Sequence, residues 1–171
     1  MRETDSGGLA RINTAAPRLA AADFLRCCGA TRWAGAMAAA RPFAGVNEML
    51  EAADRIWWGL AAADWLEAFR SHPRIGQAKA AGEWSEQEQA GARDAPGQVL
   101  HDLAAANDEY EHRFGYIFIV CATGKSAEEM LAILTERLGH DVADELRMAA
   151  AEQVKITRLR LQRLLNPTPD S

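Results

Sequence analysis

Apolar and polar positions along most of this chain follow the three-to-four-residue period of helices that bury one side. From Pro17 a helix is predicted through Cys28. Pro suits the first turn, Leu19, Ala22, Phe24 and Leu25 make an apolar face, and Gly29 stops it. Thr31 is expected to cap a second helix that carries Trp33 and Met37 and ends at Arg41-Pro42. A third is predicted from Asn47 to Leu60, with Met49, Leu50, Ala53, Ile56, Trp57 and Leu60 on one stripe. A fourth, Ala62 to Arg70, presents Trp65, Leu66 and Phe69. Ser71 to Glu83 holds Pro73, Gly76 and Gly82, lacks periodicity, and reads as a loop.

Helical signals resume at Trp84-Ser85 and run, with a break at Pro96-Gly97, through Leu100, Leu103 and Tyr110. Phe114 to Cys121 is the one strand-like run. Its periodicity does not separate a short strand from a buried extended stretch or a helical turn. Ser126 opens a capping box with Glu129, and Met130, Leu131, Leu134 and Leu138 follow at helical spacing. A last helix is predicted from Asp141 to Leu165, before Pro167. With at most one strand, the fold class is all-α, a single compact multi-helix domain over residues 12–166. Residues 1–11, part of a Gly- and Ser-containing stretch, are expected to form a flexible arm, and residues 167–171 a tail.

Composition narrows the function classes. The chain has 171 residues, 49% of them hydrophobic, which suits one domain with a sizeable core. A net charge of −5 with no Lys/Arg-rich block argues against a nucleic-acid binder. No apolar run approaches the roughly 18 to 20 residues of a membrane span. The first 22 residues lack the apolar centre of a signal peptide, so a cytoplasmic location is expected. Three Cys, two of them adjacent, make a poor disulfide framework and fit a reducing compartment.

Taken singly, the chemistry-bearing residues have bland explanations. Gly124-Lys125-Ser126 stands where a phosphate-binding loop would, after an apolar run and before a helix. The loop's second glycine is missing, because position 119 is Ile, and the several parallel strands it needs are absent. Ser126 as a helix cap explains the segment better. The His residues (His72, His101, His112, His140) form no zinc-type spacing with each other or with Cys, so no metal is expected. His72 follows a helix in a turn fixed by Pro73, where an imidazole can exchange protons near neutral pH. A surface His would look the same. Glu88 completes a capping-box pattern with Ser85, and Arg158 and Arg160 sit late in a helix, where the dipole favours cations anyway.

Together they form a pattern. The chain resembles the 2-oxo-4-hydroxy-4-carboxy-5-ureidoimidazoline (OHCU) decarboxylases from about Ile12-Asn13 to Leu165. The resemblance runs through Phe24, Cys28, Trp33, Arg41-Pro42-Phe43 and Trp65-Leu66-Glu67-Ala68-Phe69. It continues through His72-Pro73-Arg74-Ile75-Gly76, its most specific piece, and then Trp84-Ser85, Glu88-Gln89, Gly91, Phe114-Gly115 and Phe118-Ile119. Gly124-Lys125-Ser126, Arg137-Leu138, Glu145, Ile156 and Leu159-Arg160-Leu161 complete it. The resemblance implies an all-helical, cofactor-free homodimer that converts the ureidoimidazoline to (S)-allantoin and CO2. It implies His72, Glu88 and Arg160 as catalytic residues converging on one pocket, with Arg158 the fallback for the arginine. Pro73, Ser85, Gln89 and Ile119 are the implied substrate contacts. One departure is His140, where relatives usually carry Asn, at a position expected to be a helix cap.

The chemistry suits such residues. The substrate carbon that loses CO2 lies beside a ring C=N bond, which can take the electron pair left behind, so no metal or organic electron sink is required. Arg160 can grip a carboxylate with its planar fork. Glu88 can accept from ureido N–H groups, and His72 can serve the adjacent hydroxyl as general base. Two other classes would share parts of this sequence. A helical interaction module needs only the amphipathic stripes, and a nucleotide-dependent enzyme would use Gly124-Lys125-Ser126.

Overall fold

The computed structural model describes residues 3–75 and 83–167. Its elements are α1 (Glu3–Thr14), α2 (Pro17–Cys27), α3 (Thr31–Ala39), α4 (Val46–Trp58) and α5 (Ala62–Arg70), then α6 (Glu83–Glu88), α7 (Gly97–Phe114), α8 (Ala127–Arg137) and α9 (Val142–Leu165). A short 3-10 turn, Ala90–Ala92, follows α6. Among the described residues there is no strand, and the expected all-α class holds. Residues 76–82, which include Gly76 and Gly82 of the expected loop, and residues 168–171 of the expected tail lie outside the described residues. The chain divides into two compact units, one of residues 1–68 and 154–171, the other of residues 69–153.

In the first unit, α2 packs on α3 and α3 on α4. Phe24 stands edge-on to Trp33, with ring centroids 6.1 Å apart, and to Phe43 at 6.5 Å. The buried Trp33 indole donates to the Ala53 carbonyl at 3.0 Å, so its one polar atom is satisfied inside the core. Arg41 closes two helix ends. Its Nη1 donates to the carbonyls of Ile12 (2.7 Å) and Ala15 (2.8 Å), and its Nε to that of Ala38 (2.9 Å). These are carbonyls that helix geometry leaves without an internal partner. Asn13 and Phe43 exchange two bonds, Nδ2 to the Phe43 carbonyl and Phe43 N–H to Oδ1, each 2.9 Å. Residues 12–13 and 41–43 belong to one construction.

Two expectations change here. Residues 1–11 were expected to be a flexible arm, but the chain is helical from Glu3 to Thr14, with Leu9 and Ile12 buried. Gly8 explains it: a Cβ there would lie 2.0 Å from the Leu165 carbonyl oxygen, so the glycine serves close approach rather than freedom. The Arg11 Nη2 also donates to the Leu164 carbonyl at 2.7 Å. Thr31 begins α3 but does not cap it. Its N–H and hydroxyl donate instead to Glu67, at 2.9 and 2.7 Å.

In the second unit, α7 packs on α8 around Phe69, Leu103, Tyr110, Phe118, Met130 and Leu134. Gly115, at φ +83°, ends α7 in the left-handed conformation that glycine adopts without strain. The strand-like run after it is extended and buried but pairs with no strand. Side chains meet its backbone instead. Arg137 Nη1 donates to the Ile119 carbonyl at 2.6 Å, Lys125 Nζ to the Cys121 carbonyl at 2.7 Å, and Cys121 N–H to Glu152 Oε1 at 3.3 Å. Ser126 caps α8 in the expected box with Glu129.

Behind this segment sits a buried polar cluster. Glu145 accepts from Tyr110 Oη at 2.5 Å and from Arg137 Nε at 2.7 Å. His140, the departure from the family pattern, places Nδ1 2.9 Å from the other Glu145 oxygen. Burial, aided by the Glu145 bond, pushes the Tyr110 hydroxyl well above its usual range.

Candidate active site

His72 lies in the second unit, directly past the C-terminal end of α5. Phe69, fully buried, anchors that helix end, and the His72 N–H donates to the Phe69 carbonyl at 3.2 Å. Arg74, two residues on, donates to Asp108 at 2.6 Å and to Glu111, both on α7. The turn is thereby held at both ends, and the half-buried imidazole has a defined partner. His72 Nε2 lies 2.6 Å from Oε1 of Gln153, a side chain on α9 with no solvent exposure. An amide oxygen only accepts, so Nε2 is the donor.

Glu88 is the last residue of α6 and is 8% exposed, a rare position for a carboxylate. The capping explanation for it fails: Ser85 stands inside α6, two residues after its start, and is itself buried. The following Gln89 is half-buried, its N–H donating to the Ser85 carbonyl at 3.1 Å. Ser85, Glu88 and Gln89 therefore share one helical turn and its exit. Cys121 reports on the surroundings. Its thiol is pushed up first by burial, opposed by the Lys125 cation, and pushed further by the Glu152 and Glu88 carboxylates. Glu88 thus lies within electrostatic reach of the extended segment that carries Ile119. Ile119 is buried with its carbonyl bound by Arg137, and Pro73 is half-buried beside His72.

Arg160 belongs to the first unit. It is 6% exposed, with Nη1 3.4 Å from the Arg26 carbonyl, beside the thiols of Cys27 and Cys28. Burial pushes both thiols up to about 12, against the pull of the Arg160 charge. Both are therefore neutral at pH 7. Arg158 behaves differently. Nearly half exposed, it grips Asp54 with Nε (3.1 and 3.2 Å) and Nη2 (2.5 Å). Of the two arginines, Arg158 is committed to a structural ion pair.

Sequence reasoning did not find Gln153, Glu152 or Thr157. A signal for them existed. On α9 the buried residues Ala149, Ala150, Gln153, Thr157, Arg160, Leu161 and Leu164 recur at helical spacing. Gln, Thr and Arg on the apolar stripe of a helix mark polar work inside the protein. Gly124-Lys125-Ser126 contributes no phosphate cradle, since Lys125 and Ser126 are spent on the Cys121 carbonyl and on capping α8.

A sequence profile of the OHCU decarboxylase family matches residues 13–162. The chain belongs to this family. Its similarity to the uric acid degradation bifunctional protein TTL of Arabidopsis thaliana is 38% identity over 149 residues, 82% of this chain and 45% of that protein. The chain thus spans less than half of that bifunctional relative. It is 32% identical to the 2-oxo-4-hydroxy-4-carboxy-5-ureidoimidazoline decarboxylase of Amia calva, over 77% of this chain and 79% of that protein. Among solved structures, an OHCU decarboxylase crystallised in the presence of (S)-allantoin superimposes with a TM-score of 0.74. It shares 36% identity, over 83% of this chain and 96% of that one. An (S)-allantoin synthase at 16% identity, with a TM-score of 0.70, shares the fold. His72, Glu88 and Arg160 lie within the matched range 13–162.

Proposed function

We propose that this chain decarboxylates 2-oxo-4-hydroxy-4-carboxy-5-ureidoimidazoline to (S)-allantoin and CO2 in uric acid degradation, as a cofactor-independent carboxy-lyase. The observation that carries this reading is the family match over residues 13–162, supported by the likeness of fold to an OHCU decarboxylase along nearly that enzyme's full length. The bond between the hydroxyl-bearing ring carbon and its carboxylate breaks, and CO2 leaves. The electron pair forms a double bond to the neighbouring ureido-bearing carbon while the pair of its C=N bond moves onto the ring nitrogen. A proton then returns to one face of the ureido-bearing carbon, and the hydroxyl gives up its proton and becomes the ring carbonyl of (S)-allantoin.

His72 serves the substrate hydroxyl as general base, a role typically worth ~10²–10⁴-fold. Glu88, a carboxylate held out of water, accepts from the ureido N–H groups, with Ser85 and Gln89 as flanking polar contacts. Arg160 grips the substrate carboxylate with its planar guanidinium fork. Pro73 and the backbone around Ile119 line the substrate. The working form is a homodimer: five Trp is a heavy aromatic load for a small acidic chain, and aromatic residues are enriched at interfaces. The three buried, free cysteines fit a cytoplasmic enzyme. Among the described residues no helix is long and apolar enough to cross a membrane.

The test uses substrate generated in place from urate by uricase and hydroxyisourate hydrolase. Circular dichroism should then report (S)-allantoin forming in proportion to added protein. Decay at the spontaneous rate, to racemic product, would overturn the assignment.

A further inference from the structure

We propose that Gln153 is a positioning residue that fixes the His72 imidazole as its Nε2–H tautomer and so makes Nδ1 the nitrogen that exchanges protons with substrate. The proposal rests on the reading of His72 as general base and specifies which of its atoms does the work. His72 Nε2 and Gln153 Oε1 are 2.6 Å apart, a close contact for an N–H···O bond. Gln153 has no solvent exposure, and it stands within the 24-residue helix α9 next to Glu152, whose Oε1 accepts from Cys121 N–H. A side chain so placed has little freedom to follow the ring, so the ring conforms to it.

The choice of an amide has chemical consequences. In a neutral imidazole one nitrogen carries the proton and the other the lone pair, and the hydrogen bond made by one decides the role of the other. An acceptor at Nε2 puts the proton there and the lone pair on Nδ1. A carboxylate in the same place would do likewise but would also stabilise the imidazolium, trapping the proton that the base must pass on. The amide orients without that penalty. Burying a polar amide beside Ala149 and Ala150 on the buried stripe of α9 costs free energy unless it is bonded, and the bond to His72 contributes to this.

Two measurements test this on the full-length protein. The ¹⁵N resonances of the His72 ring, recorded at a pH where the ring is neutral, should show a pyrrole-type Nε2 and a pyridine-type Nδ1. A pyrrole-type Nδ1 would overturn the proposal. This readout needs no turnover, so it stands apart from any failure of the decarboxylase reading, which would show as inactive wild-type protein. For activity, Gln153→Met keeps the length of the side chain but removes the acceptor. It should lower kcat by about 10- to 100-fold with KM within about twofold, the range typical of losing a residue that orients a functional His. Gln153→Glu restores an acceptor and should recover part of kcat. An unchanged kcat in Gln153→Met, or a loss that falls with melting temperature and is not relieved by Gln153→Glu, would overturn it. If Gln153→Met does not fold, the wild-type ring spectrum still decides.

Discussion

Arg137 and Glu145 form a buried ion pair, Nη2 to Oε1 at 2.5 Å, with both side chains almost wholly out of water. The pair does more than neutralise two charges. Arg137 also holds the Ile119 carbonyl and lies over the Phe118 ring at 4.6 Å, while Glu145 gathers Tyr110 and His140. A guanidinium thereby substitutes for a neighbouring strand along the extended segment.

Removing one partner should therefore be costly. Arg137→Met leaves a buried carboxylate with half its donors gone and a carbonyl unbonded, a loss of about 3–5 kcal/mol. At ~2–4 °C per kcal/mol for a chain of this size, melting should fall by about 6–20 °C. Calorimetry giving a fall under about 2 °C would show that the cluster does not hold the segment.

Two adjacent glycines in α1 should respond in opposite directions. Gly7 has open space around a built Cβ, so Gly7→Ala should stabilise the helix by about 0.5–1 kcal/mol. Gly8→Ala drives a methyl group into the Leu165 backbone at 2.0 Å and should cost about 1–3 kcal/mol. Urea midpoints of the two variants check this. Equal shifts would mean that α1 is not docked through Gly8.

That pair also shows where the sequence was legible and where it was not. The helices from α2 to α5, the capped α8 and the long α9 were readable because each carries a repeated apolar stripe with a local start or stop signal. Residues 1–11 were misread because glycine signals freedom in sequence and close approach in structure, and only a distant partner, Leu165, distinguishes the two. Thr31 looked like a cap because no local pattern reveals that Glu67 receives its hydroxyl. For the candidate site, only the resemblance singles out His72, Glu88 and Arg160, because each alone has an ordinary explanation. Gln153 stayed hidden because its meaning is a contact with a residue far away in sequence.

The thiols set an alkaline limit. Cys27 and Cys28 are pushed from 9.0 up to about 12 by burial, so the unfolded chain loses these protons first. Their contribution is complete below pH 9 and is lost as pH rises toward 12. Urea midpoints should drop across that window, and the drop should shrink in Cys27→Ala. In the native protein at pH 8 both thiols should resist a disulfide reagent that labels them after denaturation. Rapid native labelling of both would contradict their burial.

His72→Ala should abolish catalysis and spare the fold. The side chain is half-buried at the end of a turn, and the turn keeps its Phe69, Asp108 and Glu111 contacts without it. The general-base role predicts a kcat loss of ~10²-fold or more at little change in KM. A variant with near-normal kcat would remove His72 from the mechanism.

The last prediction separates Arg158 and Arg160 on α9, which the sequence pattern alone left in competition. Arg158 is nearly half exposed and holds Asp54 through three contacts, whereas Arg160 is buried beside thiols that carry no charge at neutral pH. Arg158→Lys should keep a partial ion pair in a solvated place, costing less than about 1 kcal/mol and leaving KM untouched. Arg160→Lys keeps the positive charge but loses the planar two-point grip on a carboxylate. Charge-assisted bonds of this kind contribute about 1.5–3 kcal/mol each, so losing one should raise KM by roughly 10- to 150-fold. Because Arg160 is buried, melting must be followed in parallel, so that a weakened fold is not mistaken for weakened binding. Steady-state kinetics on the two variants read the outcome directly. A KM that rises in Arg158→Lys and stays constant in Arg160→Lys would exchange their roles, and with them the register of the Leu159-Arg160-Leu161 assignment.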